Sequence, residues 1–153
     1  MRLQLLVPPP VVAIVFVALV WGLSRYWPAP GLLPDGARLW LAGGLIALAL
    51  ILDLSALWAF RKAQTTVNPL SPERSRSIVR TGPYRVSRNP MYLGMALILT
   101  AWVVWRGQPL GLFLVAGFLA YLTVFQIKPE EAALAAKFGE PYGDYLRSVR
   151  RWL

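Results

Sequence analysis

The stretch Leu39-Trp40-Leu41-Ala42-Gly43-Gly44-Leu45-Ile46-Ala47-Leu48-Ala49-Leu50-Ile51-Leu52-Asp53-Leu54-Ser55-Ala56-Leu57-Trp58-Ala59-Phe60 has one charged side chain, Asp53. As a helix it would be about 33 Å long, enough to cross the hydrocarbon core of a bilayer. Three more apolar runs flank it. Leu5 to Trp27 holds only Arg25, near its end. Met91 to Trp105 is 15 residues long, and Leu110 to Ile127 follows after the turn Arg106-Gly107-Gln108-Pro109. The last two predict a helical hairpin whose first arm is short or tilted. The expected fold is an all-α integral membrane protein, one domain over 1–153, with about four transmembrane helices near 5–27, 39–60, 91–105 and 110–127. Two polar segments, 65–90 and 128–152, would lie outside the bilayer.

Composition agrees. The chain of 153 residues is 57% hydrophobic and 15% charged, where soluble domains carry nearer ~25% charged residues, so an ordinary soluble globule is excluded. Cys and His are absent, which removes disulfides, thiolate nucleophiles, Cys/His zinc sites and imidazole acid–base catalysis. No metal site is expected. The first run begins at Pro8-Pro9-Pro10, ends in Trp21 and Trp27 and lacks a small-residue cleavage signal, so Met1 is read as the retained start.

The net charge of +9 reads as a topology marker rather than a nucleic-acid footprint. With four spans, Arg2, seven basic residues from Arg61 to Arg88 and five in the tail fall on one side, 13 in all; Arg25, Arg38 and Arg106 fall on the other. The positive-inside rule then predicts cytoplasmic termini and a cytoplasmic 61–90 loop. Trp21, Tyr26, Trp27, Trp40, Trp58, Trp102 and Trp105 lie near span ends and read as interface anchors. In the tail, a short amphipathic helix is predicted over Glu130 to Phe138, broken at Gly139 and Pro141. A second would turn Tyr142, Tyr145, Leu146 and Val149 toward the membrane face. Gly43-Gly44, Gly111 and Gly117 permit close helix contacts, read here as intramolecular packing, so no oligomer is required.

The two arms of the hairpin return to the same membrane face, which brings the two polar segments together and predicts a pocket roofed by both. Pro90 sits where a helix can begin, and the unpaired N–H groups behind it favour an anionic group, with Arg88 and Asn89 adding donors. Glu130-Glu131 places carboxylates at the membrane boundary, able to hold a ribose diol or a cation or simply to favour a helix start. Asp53, alone inside a span, is either functional or structurally paired with Ser55, Arg61 or a neighbouring span.

Gly82-Pro83-Tyr84-x-x-x-Arg88-Asn89-Pro90-Met91-Tyr92-x-Gly94, followed after the hairpin by Glu130-Glu131-x-x-Leu134-x-x-x-Phe138-Gly139-x-x-Tyr142-x-x-Tyr145, closely resembles the isoprenylcysteine carboxyl methyltransferase and phospholipid methyltransferase superfamily of membrane enzymes. The resemblance covers roughly residues 60 to 152, and Thr65-Thr66-Val67-Asn68-Pro69 resembles its bacterial branch, implying a multi-pass protein of a bacterial inner membrane. It implies methyl transfer from S-adenosylmethionine to a hydrophobic or lipid-like acceptor: a carboxylate, thiol or amine. By the same resemblance Tyr84, Arg88, Asn89, Pro90, Met91, Tyr92 and Glu130 fall on the cofactor-contacting positions, with Ser77, Ile78 and Val79 as an upstream contact. Catalytic candidates are Arg88, Glu130, Tyr145 and Arg147. Aromatic faces such as Tyr84 or Tyr92 would favour the sulfonium. No G-x-G-x-x-G follows a strand-like segment, which argues against the soluble route to this cofactor.

The chain departs from the family pattern at two places. Asn89 stands where many members have His, and Gln126 stands where eukaryotic prenylcysteine enzymes have an Arg tied to the acceptor carboxylate; Lys128, Arg147 or Arg150 could substitute. Two other readings stay open: a membrane reductase using NADPH, since sterol reductases resemble this superfamily in the hairpin and tail, and a non-enzymatic scaffold.

Overall fold

A computed structural model describes residues 5–64 and 75–153. The stretch Thr65-Thr66-Val67-Asn68-Pro69 lies outside the described residues. Prolines set most helix starts, at positions whose N–H would lack an intrahelical partner anyway. α1 is Pro9–Tyr26, α3 is Pro90–Trp105, α5 is Lys128–Phe138 and α6 is Glu140–Ser148, each with Pro in its first two positions. α2, Asp35–Lys62, instead has an acid in its first turn and Arg61 and Lys62 in its last, the arrangement its dipole favours. α4, Gly111–Tyr121, completes the set, and a 3-10 turn spans Gly82–Arg85. The fold is all-α; among the described residues the only strand-like feature is an isolated bridge between Ser87 and Arg150.

Among the described residues, three helical stretches are long and apolar enough to cross a membrane: Pro9–Tyr26, Asp35–Lys62 and Gly111–Phe138. α3, with 16 residues, is the short arm the sequence predicts. The last span departs from expectation. It does not end near Ile127 with a separate tail helix after it; α4, a π turn over Leu122–Ile127 and α5 form one continuous rod. Pro129 explains the irregularity, because it has no N–H for the Phe125 carbonyl four residues back and its ring crowds that carbonyl. The wider π turn relieves the crowding, and the freed carbonyl accepts the Leu5 N–H at 3.1 Å. The N-terminal segment is thereby tied to the rod beside the site.

α2 packs chiefly on α3, α1 packs on α3 and α4, and α1 and α2 scarcely touch each other. Small residues make the α2–α3 contact close: Ala42, Ala49 and Ala56, seven apart, are buried on α2, as are Gly94 and Ala101 on α3. On the other side of α3 the core gathers Val12, Val20, Leu99, Val103 and Phe118, with Phe16 edge-on to Phe118 at 5.5 Å. At the hairpin end Gln108, 2% exposed, donates to the Trp27 carbonyl (2.8 Å), and Arg106 donates to Ser24 Oγ (2.9 Å). Arg25, Arg38 and Arg106 therefore share one end of the bundle, opposite the polar segments. Trp27, Trp40 and Trp58 are well exposed, as interface anchors should be. Trp102 differs: it is partly buried and donates to the Val17 carbonyl at 3.2 Å, joining α3 to α1.

Candidate functional site

The site lies where the N-termini of α1 and α3 meet the α5–α6 tail. Gly82, at φ +60, turns the chain into the 3-10 segment and sends Tyr84 inward, where Phe60 of α2 meets it edge-on at 5.3 Å. Asn89 then precedes Pro90 at the start of α3, whose first-turn N–H groups at Met91 and Tyr92 have no carbonyl within the helix to reach. Across the gap, the end of the π turn and α5 present Ile127, Glu130, Glu131, Leu134 and Phe138, spaced as one helical face. Gly139, also at φ +60, reverses the chain so that α6 folds back over the opening.

Together these elements enclose a cavity of about 230 Å³. It gathers Ser77, Ile78, Val79, Tyr84, Arg88, Asn89, Met91, Tyr92, Glu130 and Tyr145 from the sequence-predicted set. Pro90 is buried behind the wall, and Arg147 lies elsewhere, exposed and paired with Asp144. Residues the sequence reading did not assign also line it: Pro9 and Pro10 of α1, Phe60, Met95, Phe138 and Tyr142. The tail aromatics are a correction. Tyr142 and Tyr145 do not turn toward the membrane; both are 4% exposed and face the cavity. The three-residue spacing of Tyr142 and Tyr145 could reveal that α6 is amphipathic, but not whether its apolar face meets lipid or protein.

The polar groups divide into two sets. In the first, the Tyr92 hydroxyl donates to Glu130 Oε2 at 3.0 Å, and the buried Gln126 amide, one turn before Glu130, hydrogen-bonds to Tyr92 as well. The second set holds the tail in place. Arg88 donates to Glu131 (2.8 Å) and to the carbonyls of Leu146 (2.7 Å) and Val149 (2.9 Å), and Arg151 donates to the other Glu131 oxygen (2.7 Å). The hydrogen bonds to Glu131 hold the Arg151 guanidinium more firmly in its charged form. Asn89 gives its side-chain amide to the Arg151 carbonyl (2.9 Å), and Tyr145 gives its hydroxyl to the Tyr84 carbonyl (2.8 Å). Arg88 and Asn89 thus give these donors to the chain's own tail, at partners 43 to 62 residues away.

Burial pushes the Tyr84, Tyr142 and Tyr145 phenols up. Nearby carboxylates add to the rise at Tyr84 and Tyr142, while at Tyr145, which reaches about 12, Arg88 and Arg80 oppose it. All three are neutral near pH 7, serving as aromatic faces and hydrogen-bond donors rather than bases. A carboxylate and several aromatic faces around one cavity can stabilise a compact cation and accept hydrogen bonds from a diol.

Gly94, one turn beyond Met91, is required by contact. A Cβ there would run into the Asp53 carboxylate on α2. Asp53 packs against α3 close to the site, with one oxygen buried and without a hydrogen-bond partner. It is not among the residues that line the cavity.

Comparison with known proteins bears on this geometry. A protein of Haemophilus influenzae described only as uncharacterized is 46% identical over 63 residues, which is 41% of this chain and the whole of that protein. No solved structure matches the chain significantly. The family model for phospholipid methyltransferases matches residues 37–141, from the start of α2 through the hairpin and α5 to the first turn of α6. With more than half of its length so matched, the chain belongs to the phospholipid methyltransferase family, within the isoprenylcysteine carboxyl methyltransferase-like superfamily of membrane methyltransferases.

Proposed function

We propose that the protein transfers a methyl group from S-adenosylmethionine to a hydrophobic acceptor that enters from the bilayer. The reaction would take place at the membrane face bearing the 61–90 loop and the tail, the cytoplasmic face by charge distribution. The observation that carries this reading is the convergence of residues 77–92 and Glu130, from opposite sides of a helical hairpin, on one cavity that also has apolar walls from α1 and α3.

The residues suit the cofactor. Glu130 is placed to accept from ribose hydroxyls, Tyr84, Tyr92 and Tyr142 offer aromatic faces to a sulfonium, and the free N–H groups opening α3 suit a carboxylate. When bound, S-adenosylmethionine supplies an electrophilic methyl group, so the protein needs to align the acceptor and exclude water rather than provide a strong base. The folded-back α6 closes the polar side of the cavity, and Arg88, Asn89 and Glu131 hold it closed. Arg88 is thus a positioning residue, and Tyr145, bonded to the Tyr84 carbonyl, supports the wall. Gln126 brings a neutral amide to the Tyr92–Glu130 pair, so an acceptor carboxylate would need its cation from elsewhere.

Calorimetric titration of detergent-purified protein with S-adenosylmethionine tests the reading. Glu130→Ala should weaken binding at least ten-fold, since a hydrogen bond to a charged group contributes ~1.5–3 kcal/mol, and Arg25→Ala at the far end should leave it unchanged. Membranes supplied with radiolabelled methyl donor should label a lipid-soluble fraction. Absence of binding and label, or a rise in melting temperature with NADPH instead, would overturn the assignment.

A further inference from the structure

A second cavity, of about 440 Å³, lies toward the hairpin end of the bundle between Val17 of α1, Ala42, Gly43 and Ile46 of α2, and Ile98 and Trp102 of α3. Its walls are apolar apart from the Trp102 indole N–H, which is already given to the Val17 carbonyl. The same three helices wall the site's cavity, and one face of α3 floors both. Met91 and Met95 belong to the first cavity, Ile98, Trp102 and Trp105 to the second, in the four-three spacing of a single helical stripe. Met95 and Ile98 are less than one turn apart, about 4.5 Å along the axis. α1 and α2 scarcely touch each other, so a seam between them follows this stripe; the two cavities along it share no lining residue and are parted between Met95, a flexible side chain, and Ile98. Trp102 and Trp105, edge to face at 5.1 Å, stand at its far end.

We propose that this seam is the binding site for the acceptor's hydrocarbon tail. The reactive end of the acceptor lies in the site cavity, and the chain runs between α1 and α2 to end against Trp102 and Trp105. The proposal rests on the methyl-transfer reading above. Lipid is as apolar as the seam, so burial from water contributes little to selecting a chain. Selection comes from shape: a chain that fills the cavity gains dispersion contacts that an empty space forfeits, and Trp102, held by its bond to the Val17 carbonyl, limits how far it can extend. The seam is thus a gauge of chain length.

Gly43 and Gly44 separate this from alternatives. A Cβ at either meets nothing within 4 Å, but only Gly43 lines the cavity. Gly43→Leu therefore adds bulk to the seam from a position whose Cβ is unobstructed, and Gly44→Leu adds the same bulk to α2 outside it. The full chain, reconstituted in phosphatidylcholine vesicles, would be irradiated with a short and a long fatty acid, each with a diazirine at its chain end, and the labelled peptides mapped. The long probe should label residues 98–105, the short probe residues 91–95. Gly43→Leu should reduce the long-probe label at least ten-fold, with Gly44→Leu matching the parent protein. Labelling that persists in Gly43→Leu, or that spreads over the outward faces of α1 and α2, overturns the proposal, because the seam then holds ordinary bilayer lipid. A parent dimer that Gly43→Leu dissociates, with no label in the seam, overturns it in favour of a second copy. Titration of the same proteins with S-adenosylmethionine distinguishes the two readings. The predicted labelling without donor binding removes the methyl-transfer assignment and leaves the chain site, and donor binding with unselective labelling does the reverse.

Discussion

At the scale of single residues, the contact between Gly94 and Asp53 shows how little of a motif's meaning is local. Gly94 closes the sequence Asn89-Pro90-Met91-Tyr92-x-Gly94, and it is glycine because the Asp53 carboxylate occupies the place of its side chain. Gly94→Ala should lower stability by ~1–3 kcal/mol, the ordinary cost of forcing atoms into a packed contact, read as a fall in melting temperature in detergent. Adding Asp53→Ala should recover most of that loss. Simple additivity of the two changes would mean that the helices do not meet there. Glu130 could be singled out only through the resemblance of the motif around it, because an acid at a membrane boundary serves equally well as a helix start; the fold places it on the cavity wall. The roles of Arg88 and Asn89 were not legible, because the carbonyls they bind, on Leu146, Val149 and Arg151, carry no side-chain signature.

Among the elements, the tail is where the sequence-based expectation and the fold part most. Hydropathy distinguished Leu110 to Ile127 from the polar residues after it and so suggested a break. The backbone instead runs on through the π turn, since polarity decides where a helix leaves the bilayer and not where it ends. What holds α6 over the site is largely the Arg88–Glu131–Arg151 cluster, whose Arg88 and Glu131 side chains are 9% and 13% exposed. Removing one partner from such a buried pair typically costs 3–5 kcal/mol, at the order-of-magnitude level. Arg88→Ala should therefore release the tail and make the chain after Gly139 a preferred site of limited proteolysis, with Arg88→Lys restoring only part of the protection because it lacks the guanidinium fork. Protection unchanged in Arg88→Ala would assign the closure to Tyr145 and Asn89 instead.

For the molecule as a whole, the distribution of charge implies an orientation. The chain has no cysteine, so single cysteines report it without background. Ala29→Cys, between α1 and α2, should react with a membrane-impermeant thiol reagent in intact cells, and Ser148→Cys only after the membrane is opened. The opposite pattern would place the site on the outer face and contradict the positive-inside reading.

Hydropathy and charge are sums over neighbouring residues, so the helices, the short hairpin arm, the sidedness of the basic residues and the meeting of the two polar segments were all accessible from the order of amino acids. Rotation about each helix axis is different. It places Tyr142 and Tyr145 inward, Trp102 against α1 and the Met91 to Trp105 stripe along an open seam, and it depends on which helices pack against which. That pairing is set by close fit among small residues such as Ala49, Ala56 and Gly94, a property of surfaces in contact rather than of any segment alone.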